Sequence, residues 1–361
     1  MPHTPSFNLA RFDFMNEVDL PLHLGVLNLT PYGLADAAYY SAMNDGSDGG
    51  RLWYGGGVRA QIPFSRLYSN VQSDFFNVRG VDHKISFEAD YRWTQSNVDF
   101  RRLPLIDRLD DDTTDQARRD LRVYRIMNGY DLNLATSPLY DPQLLALRSG
   151  NLSSPDNLDS MQYLRFGVRN RWQTKRGVEE EERTVDWISF DLFATYFPDE
   201  GRDNYGHPFG LIDYDFRWQI GDRTSFIAQG MVDPFEGGAR SLNAGILIER
   251  TERLRFYFGY YKLDPVGTNA IVHSVSYVIN PKYSVTWSSS YDFGGSRNLG
   301  QSFMITRTGS DIQVSLGIGW DPLKNNLNAA FEIYPTALGA TRHMKALAPG
   351  LEQLDPSTVP Y

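Results

Sequence analysis

Apolar and polar residues alternate with a period of two through most of this chain, and that pattern constrains its fold more than any other feature. Ile212, Tyr214, Phe216, Trp218 and Ile220 alternate with Asp213, Asp215, Arg217 and Gln219. Successive side chains of a β-strand point to opposite faces, so such a segment has one greasy face and one wet face. Ile85, Phe87, Ala89, Tyr91 and Trp93 stand against Ser86, Glu88, Asp90, Arg92 and Thr94 in the same way. So do Ile312, Val314, Leu316, Ile318 and Trp320 against Gln313, Ser315, Gly317 and Gly319. About fifteen such strands are expected between residues 6 and 334. Segment 223–232 is the weakest, because Phe226, Ile227, Met231 and Val232 do not keep phase. Helix periodicity is scarce. A short helix over 113–127 is the exception, capped by Thr113 or Thr114 and stopped at Asn128-Gly129.

The connections alternate in length as well. Medium or long segments around 322–326, 294–298, 264–270, 233–240 and 198–208 interleave with tight ones at 309–310, 280–282, 251–253 and 221–222. In an up-and-down membrane barrel the short turns are periplasmic and the long loops extracellular. This parity puts segment 98–159 outside, and the hairpin Lys175–Thr184 and the tail 336–361 in the periplasm. The expected fold is all-β: an antiparallel up-and-down transmembrane β-barrel over 1–335, with about fifteen or sixteen strands present. An odd count would start the first strand outside, against the habit of bacterial barrels. Met1-Pro2-His3-Thr4-Pro5 has neither a basic nor an apolar leader region. These two features lead to the expectation of a larger barrel with strands upstream.

A soluble β-sandwich also alternates, and composition separates the two. Solvent-facing positions of soluble sheets are rich in Lys and Glu. The polar phase here is Ser, Thr, Gly, Asn, Asp and Arg, as in the wall of a wet lumen. The apolar phase carries aromatic residues near strand ends, among them Trp93, Trp172, Trp187, Tyr196, Trp218, Trp287, Phe293 and Trp320. Rings of this kind form girdles at the two membrane interfaces. No apolar run approaches the ~20 residues of a membrane-spanning helix, and a mean hydropathy of −0.41 suits alternating strands. With no Cys, thiol chemistry and most structural zinc sites are excluded. A net charge of −9 argues against nucleic acid as a partner.

Candidate functional residues lie on the wet phase. Arg165, Arg169 and Arg171, with Lys175 beyond them, make a basic ladder on one strand. Asp213, Asp215, Glu88 and Asp90 supply opposite charge on other strands, beside Arg92 and Arg217. One reading is a cation-lined path for an anionic amphiphile. The other is that these charges pair across strands and stiffen the wall. The six His residues are scattered without metal-ligand spacing, and the run Asp110-Asp111-Asp112 lacks a calcium-loop pattern. His273 and Ser274 are adjacent, so they face opposite sides and cannot form a hydrolase pair. No enzyme activity, metal or cofactor is expected.

Several segments together resemble a known family. They are Arg11-Phe12-Asp13 through Val18-Asp19-Leu20-Pro21, Leu29-Thr30-Pro31, Val81-Asp82-His83-Lys84-Ile85 with Tyr91-Arg92-Trp93, and Leu103-Pro104-Leu105-Ile106-Asp107. The most specific is Leu164-Arg165-Phe166-Gly167-Val168-Arg169-Asn170-Arg171-Trp172-Gln173-Thr174-Lys175, and Phe331-Glu332-Ile333-Tyr334-Pro335 comes last. In this order they resemble the C-terminal barrel of the lipopolysaccharide-assembly outer-membrane protein family LptD, also called organic-solvent-tolerance protein. The resemblance implies transport of lipopolysaccharide to the outer leaflet of the outer membrane. It implies as partners lipopolysaccharide, outer-membrane lipids, a plug lipoprotein and periplasmic bridge proteins. It also implies a lateral seam at the last strand, with Asn328, Phe331 and Ile333 on one lip. The family's periplasmic domain, early strands and cross-linking cysteines have no counterpart in this sequence. The alternative expectation is a porin-like or solute-specific outer-membrane channel, and a third is a soluble glycan-binding β-protein.

Overall fold

A computed structural model describes residues 9–99, 102–104, 158–177, 182–204, 206–234, 238–251, 253–263, 268–322 and 325–335. The helix expected over 113–127 and the tail 336–361 lie outside the described residues. The N-terminal strands are β1 (Arg11–Asp19), β2 (Leu22–Leu24), β3 (Leu27–Tyr40), β4 (Gly49–Ser73) and β5 (Val78–Ser96). Next come β6 (Met161–Arg176), β7 (Arg183–Tyr196), the short helix α1 (Glu200–Asp203), β8 (Ile212–Gly221), β9 (Thr224–Asp233) and β10 (Gly238–Thr251). The rest are β11 (Leu254–Leu263), β12 (Thr268–Asn280), β13 (Tyr283–Asp292), β14 (Arg297–Thr308), β15 (Ile312–Asp321) and β16 (Asn326–Pro335).

Each strand pairs antiparallel with its neighbour in sequence, in the single order β1-β3-β4 through β16, with β2 paired only to β3. β2 is a continuation of β1. Asp19 faces Tyr32 and Leu22 faces Leu29 in one unbroken register, and the Leu20 amide still donates to the Pro31 carbonyl. Pro21 has no amide hydrogen to give, which breaks the ladder there. The chain is therefore an antiparallel up-and-down transmembrane β-barrel, as the alternation predicts, and its place is a bacterial outer membrane. The path holds fifteen strands, so β1 and β16 run in the same direction. Among the described residues no backbone pairing joins them.

The two faces separate as the alternation requires. Outward residues are large and apolar: Phe87 is 49% exposed, Trp287 42% and Leu316 50%. Their neighbours on the inner phase of β15, Gln313, Ser315, Gly317, Gly319 and Asp321, are all buried. A greasy surface that is exposed in the isolated chain is what a lipid-facing wall presents. The loss of phase in segment 223–232 has a simple cause. Phe226 and Val232 point outward, whereas Ile227 and Met231 belong to the inner wall, in line with Arg217 and Asp213 of β8. The inner wall is thus polar on most strands and apolar on β9–β12, where Met231, Leu247, Tyr257, Tyr261 and Val272 are buried.

Glycines on the inner phase make room for large neighbours. A Cβ at Gly57 would lie 2.1 Å from the Tyr91 carbonyl oxygen and 2.6 Å from the Tyr32 hydroxyl. One at Gly167 would lie 2.5 Å from Cδ1 of Phe193, and one at Gly245 would meet the Tyr257 hydroxyl at 2.1 Å. Each glycine lets a ring from another strand lie across the backbone. At the short-turn rim, the β4–β5 turn folds against other strands. The buried Arg176 guanidinium donates to the carbonyls of Phe76, Asn77 and Gln219. Phe76 lies 6.1 Å from Trp187 and 5.7 Å from Trp218, so the turn and the girdle brace one another.

Gly57→Val should cost roughly 1–3 kcal/mol of stability through overpacking. Gly33→Val, whose Cβ meets nothing within 4 Å on the outer face, should be neutral. Urea unfolding of the refolded protein, followed by tryptophan fluorescence, compares the two.

Candidate functional site

The inner wall of β3–β8 carries the charged residues, and strand register decides which of them meet. Arg59, Asp90, Arg165 and Thr195 form one row across β4–β7. Toward the short-turn end, Gln61, Glu88, Gly167, Phe193 and Asp213 form the next. Then come Ser86, Arg169, Asp191 and Asp215, followed by Lys84, Arg171, Ser189 and Arg217. Asp191 and Asp215 stand directly opposite each other, which alone would be repulsive. Arginines on the neighbouring rows cancel that charge.

Every arginine of the expected ladder is matched. Arg165 reaches Asp213 at 3.3 Å. Arg169 donates to Glu88 at 3.1 Å and lies 3.8 Å from Asp191. Arg171 grips Asp191 with both ends of its guanidinium, one of them at 3.0 Å. Arg217 pairs with Asp215 at 3.1 Å and Arg92 lies 3.7 Å from Asp90. Lys175 meets Glu182 at 3.4 Å out at the short-turn rim, away from the rest. The structure thus brings Arg165, Arg169, Arg171, Asp213, Asp215, Arg217, Glu88, Asp90 and Arg92 onto one wall. It uses them as ion pairs, across strands for Arg165, Arg169 and Arg171 and along one strand for Arg92 and Arg217, rather than as an unopposed basic stripe. Such pairs, partly open to water, contribute modestly to stability and mainly fix side-chain positions.

Aromatic rings hold these cations in place. The Tyr32 ring lies 4.1 Å from the Arg59 guanidinium and 5.4 Å from that of Arg92. Its hydroxyl donates to Asp90 at 2.8 Å and accepts from Arg92 at 2.9 Å. Phe193 stands between Arg165 and Arg169, 5.0 and 5.2 Å from its ring centre. Attraction of this kind reaches about 0.5–1 kcal/mol at exposed sites. The sequence reading missed Phe193 because it belongs to the polar phase of its strand. The available signal was Gly167 among arginines, a gap that a neighbouring ring can fill.

Toward the loop end the wall becomes dry. Leu158 packs with Tyr32, Leu34 and Trp53, all buried. Trp53 donates through its indole nitrogen to the Asp159 carbonyl at 3.0 Å, and Thr94 donates to the same oxygen at 2.8 Å. The segment entering β6 is thus fastened to the inner wall. Above this level Arg51 and Asp36 form a fully buried ion pair, with Asp13 3.8 Å from Arg51. At the lip, hydrogen bonds from the Ser47 hydroxyl and amide and from the Arg102 guanidinium hold the Asp45 carboxyl down at about 2. That lip carries charge throughout the physiological pH range.

The remaining candidates form no nucleophile–base pair among the described residues. His273 points outward against Trp287, and Ser274 points inward and accepts from Ser288 at 3.0 Å. Asn328 of the expected seam lies on the inner phase of β16, paired with Gly319, while Phe331 and Ile333 are exposed on its outer phase.

No protein-family model matches this chain, and no curated protein matches it. Solved structures that it resembles include variants of Rhodopseudomonas blastica porin. A triple mutant of Rhodopseudomonas blastica porin is 13% identical with a TM-score of 0.35, over 85% of this chain and 98% of that one. Another variant of that porin is 13% identical with a TM-score of 0.36, over 86% and 99%. These findings correct the expectation drawn from the short segments. The barrels found are porins rather than the larger lipopolysaccharide-assembly barrel. Lipopolysaccharide, the plug lipoprotein and the bridge proteins fall as partners, and with them the lateral release of a glycolipid beside Asn328, Phe331 and Ile333; outer-membrane lipids remain what the greasy outer wall faces. The wall supplies a physical reason. A phosphorylated glycolipid would need cations free to receive it, whereas Arg165, Arg169 and Arg171 already hold carboxylates.

Asp36→Ala would take the nearest carboxylate from the buried Arg51 charge and leave Asp13 at 3.8 Å. A loss of about 3–5 kcal/mol is expected, read as a lower urea midpoint than that of the parent protein.

Proposed function

We propose that this chain is a passive, porin-like channel that lets small polar solutes cross the outer membrane, and that it performs no chemistry. One observation carries this reading: the inner wall of β3–β8 is hydrophilic and electrically balanced, while the outer wall is greasy. A polar wall lowers the cost of taking a hydrated solute through a membrane. Balanced pairs add no deep well for either ion sign, so a solute that enters can also leave. The Ser and Thr residues facing inward on β12–β15 extend the same character. Ser276 and Thr286 share a hydrogen bond of 2.9 Å, and Thr306 and Ser315 one of 3.0 Å.

Purified protein reconstituted in a planar bilayer should give stepwise, ohmic current in potassium chloride. Sealed membranes under a protein that is shown to be folded and inserted would overturn the reading. Asp191→Asn should release Arg169 and Arg171 from their shared partner. The reversal potential in a salt gradient should then shift toward anion preference relative to the parent channel.

A further inference from the structure

The wall has a notch on its short-turn side. Asn28, paired with Gln61, is the last β3 residue with a partner on β4 in that direction. β4 runs on to Ser73 with β5 on one side and, among the described residues, no strand on the other. Backbone groups along that open edge lack a ladder partner, and hydrocarbon offers them none. Register sets the depth of the notch. Arg66, His83, Trp172, Ile188 and Trp218 form one outward row across β4–β8. At its far end Trp218 lies 5.7 Å from Phe76 of the β4–β5 turn. The row therefore sits at the short-turn interface, where aromatic girdles meet headgroups.

The notch has the chemistry of an anion site. The Arg66 guanidinium is exposed, lies 5.0 Å from the centre of the Tyr68 ring, and has no ion pair or hydrogen bond among the described residues. His83, directly opposite, stacks flat on Trp172 at 4.7 Å. Its Nε2 shares a hydrogen bond of 3.2 Å with Asn170, and its other ring nitrogen has no partner among the described residues. Deeper in the membrane, the half-exposed rings of Phe64 and Phe87 meet edge to face at 6.1 Å.

We infer that this notch holds one anionic glycerophospholipid of the leaflet on the short-turn side. Its phosphate oxygens accept hydrogen bonds from the Arg66 guanidinium and from amides of the open β4 edge. Arginine's planar fork suits such an acceptor. One acyl chain lies along Phe64 and Phe87. A cationic site favours a headgroup without an ammonium, so phosphatidylglycerol is preferred to phosphatidylcholine. The inference rests on the membrane address and not on what passes through the lumen.

Native mass spectrometry of the refolded protein, titrated in detergent with phosphatidylglycerol, tests it. One lipid should bind ahead of the rest, and phosphatidylcholine with the same acyl chains should bind more weakly. Arg66→Gln should weaken that first binding roughly tenfold, the worth of one charge-assisted contact. It should keep the parent's urea midpoint, since the side chain has no protein partner to lose. Arg307→Gln removes another exposed arginine of the outward phase near the short-turn end, one with a strand on both sides, and should leave the first binding unchanged. Excess inorganic phosphate should not displace the lipid, because the acyl chain is held as well. Three results would overturn the inference. Equal binding of the two lipids would remove the charge preference. Equal weakening by Arg66→Gln and Arg307→Gln would mean a diffuse interfacial belt. Displacement by inorganic phosphate would mean an anion site indifferent to lipid.

Discussion

Inside a bilayer the backbone has no water to bond, so every amide and carbonyl that crosses the hydrocarbon must find a partner in the protein. A β-sheet meets that demand only strand against strand, and the rest of this structure follows from it. Once the strands are paired, side chains alternate between lipid and interior with no freedom to choose. Each residue type is then sorted by where its position points. The price of a misplaced polar group is high on one side and nil on the other. Pro21 shows the limit of tolerance: one missing amide interrupts the ladder for a residue or two, and β2 resumes in the same register.

The inner wall solves a second problem. Charges that face a narrow lumen are only partly hydrated, and unmatched ones would repel along the wall. Register places Asp191 opposite Asp215, and the arginines one row away neutralise both. Rings add direction to that balance. Tyr32 and Phe193 are each flanked by two guanidinium groups, which restricts long flexible side chains to one side of the path. Gly57 and Gly167 are the cost of admitting those rings, because a side chain at either position would collide with backbone on the next strand.

Much of this architecture is legible in the sequence, since alternation is a local signal. Ile212 to Ile220 states its two faces outright, and the alternating loop lengths give the up-and-down order. What is not legible depends on register. Nothing local says that Glu88 will meet Arg169, since the two lie on strands separated by a long connection. The apolar inner patch on β9–β12 was hidden for a related reason. Ile227 and Met231 read as errors of phase until β8 and β10 fix which way they point. Trp53 faces inward and donates to the Asp159 carbonyl, a contact between residues far apart in the chain that no local pattern announces.

The same reasoning explains why short matching segments misdirected the reading of function. A strand such as Leu164 to Lys175 must put apolar residues on one phase and polar ones on the other, with aromatics near its ends. Arginine is favoured on the polar phase because its planar fork can grip carboxylates on either neighbouring strand. Any barrel with a charged, wet interior will therefore generate runs of this kind, whatever passes through it. Resemblance confined to such runs reports the kind of wall. Cargo is written in what the wall leaves unpaired, and along β3–β8 the arginines have already been taken by their neighbours.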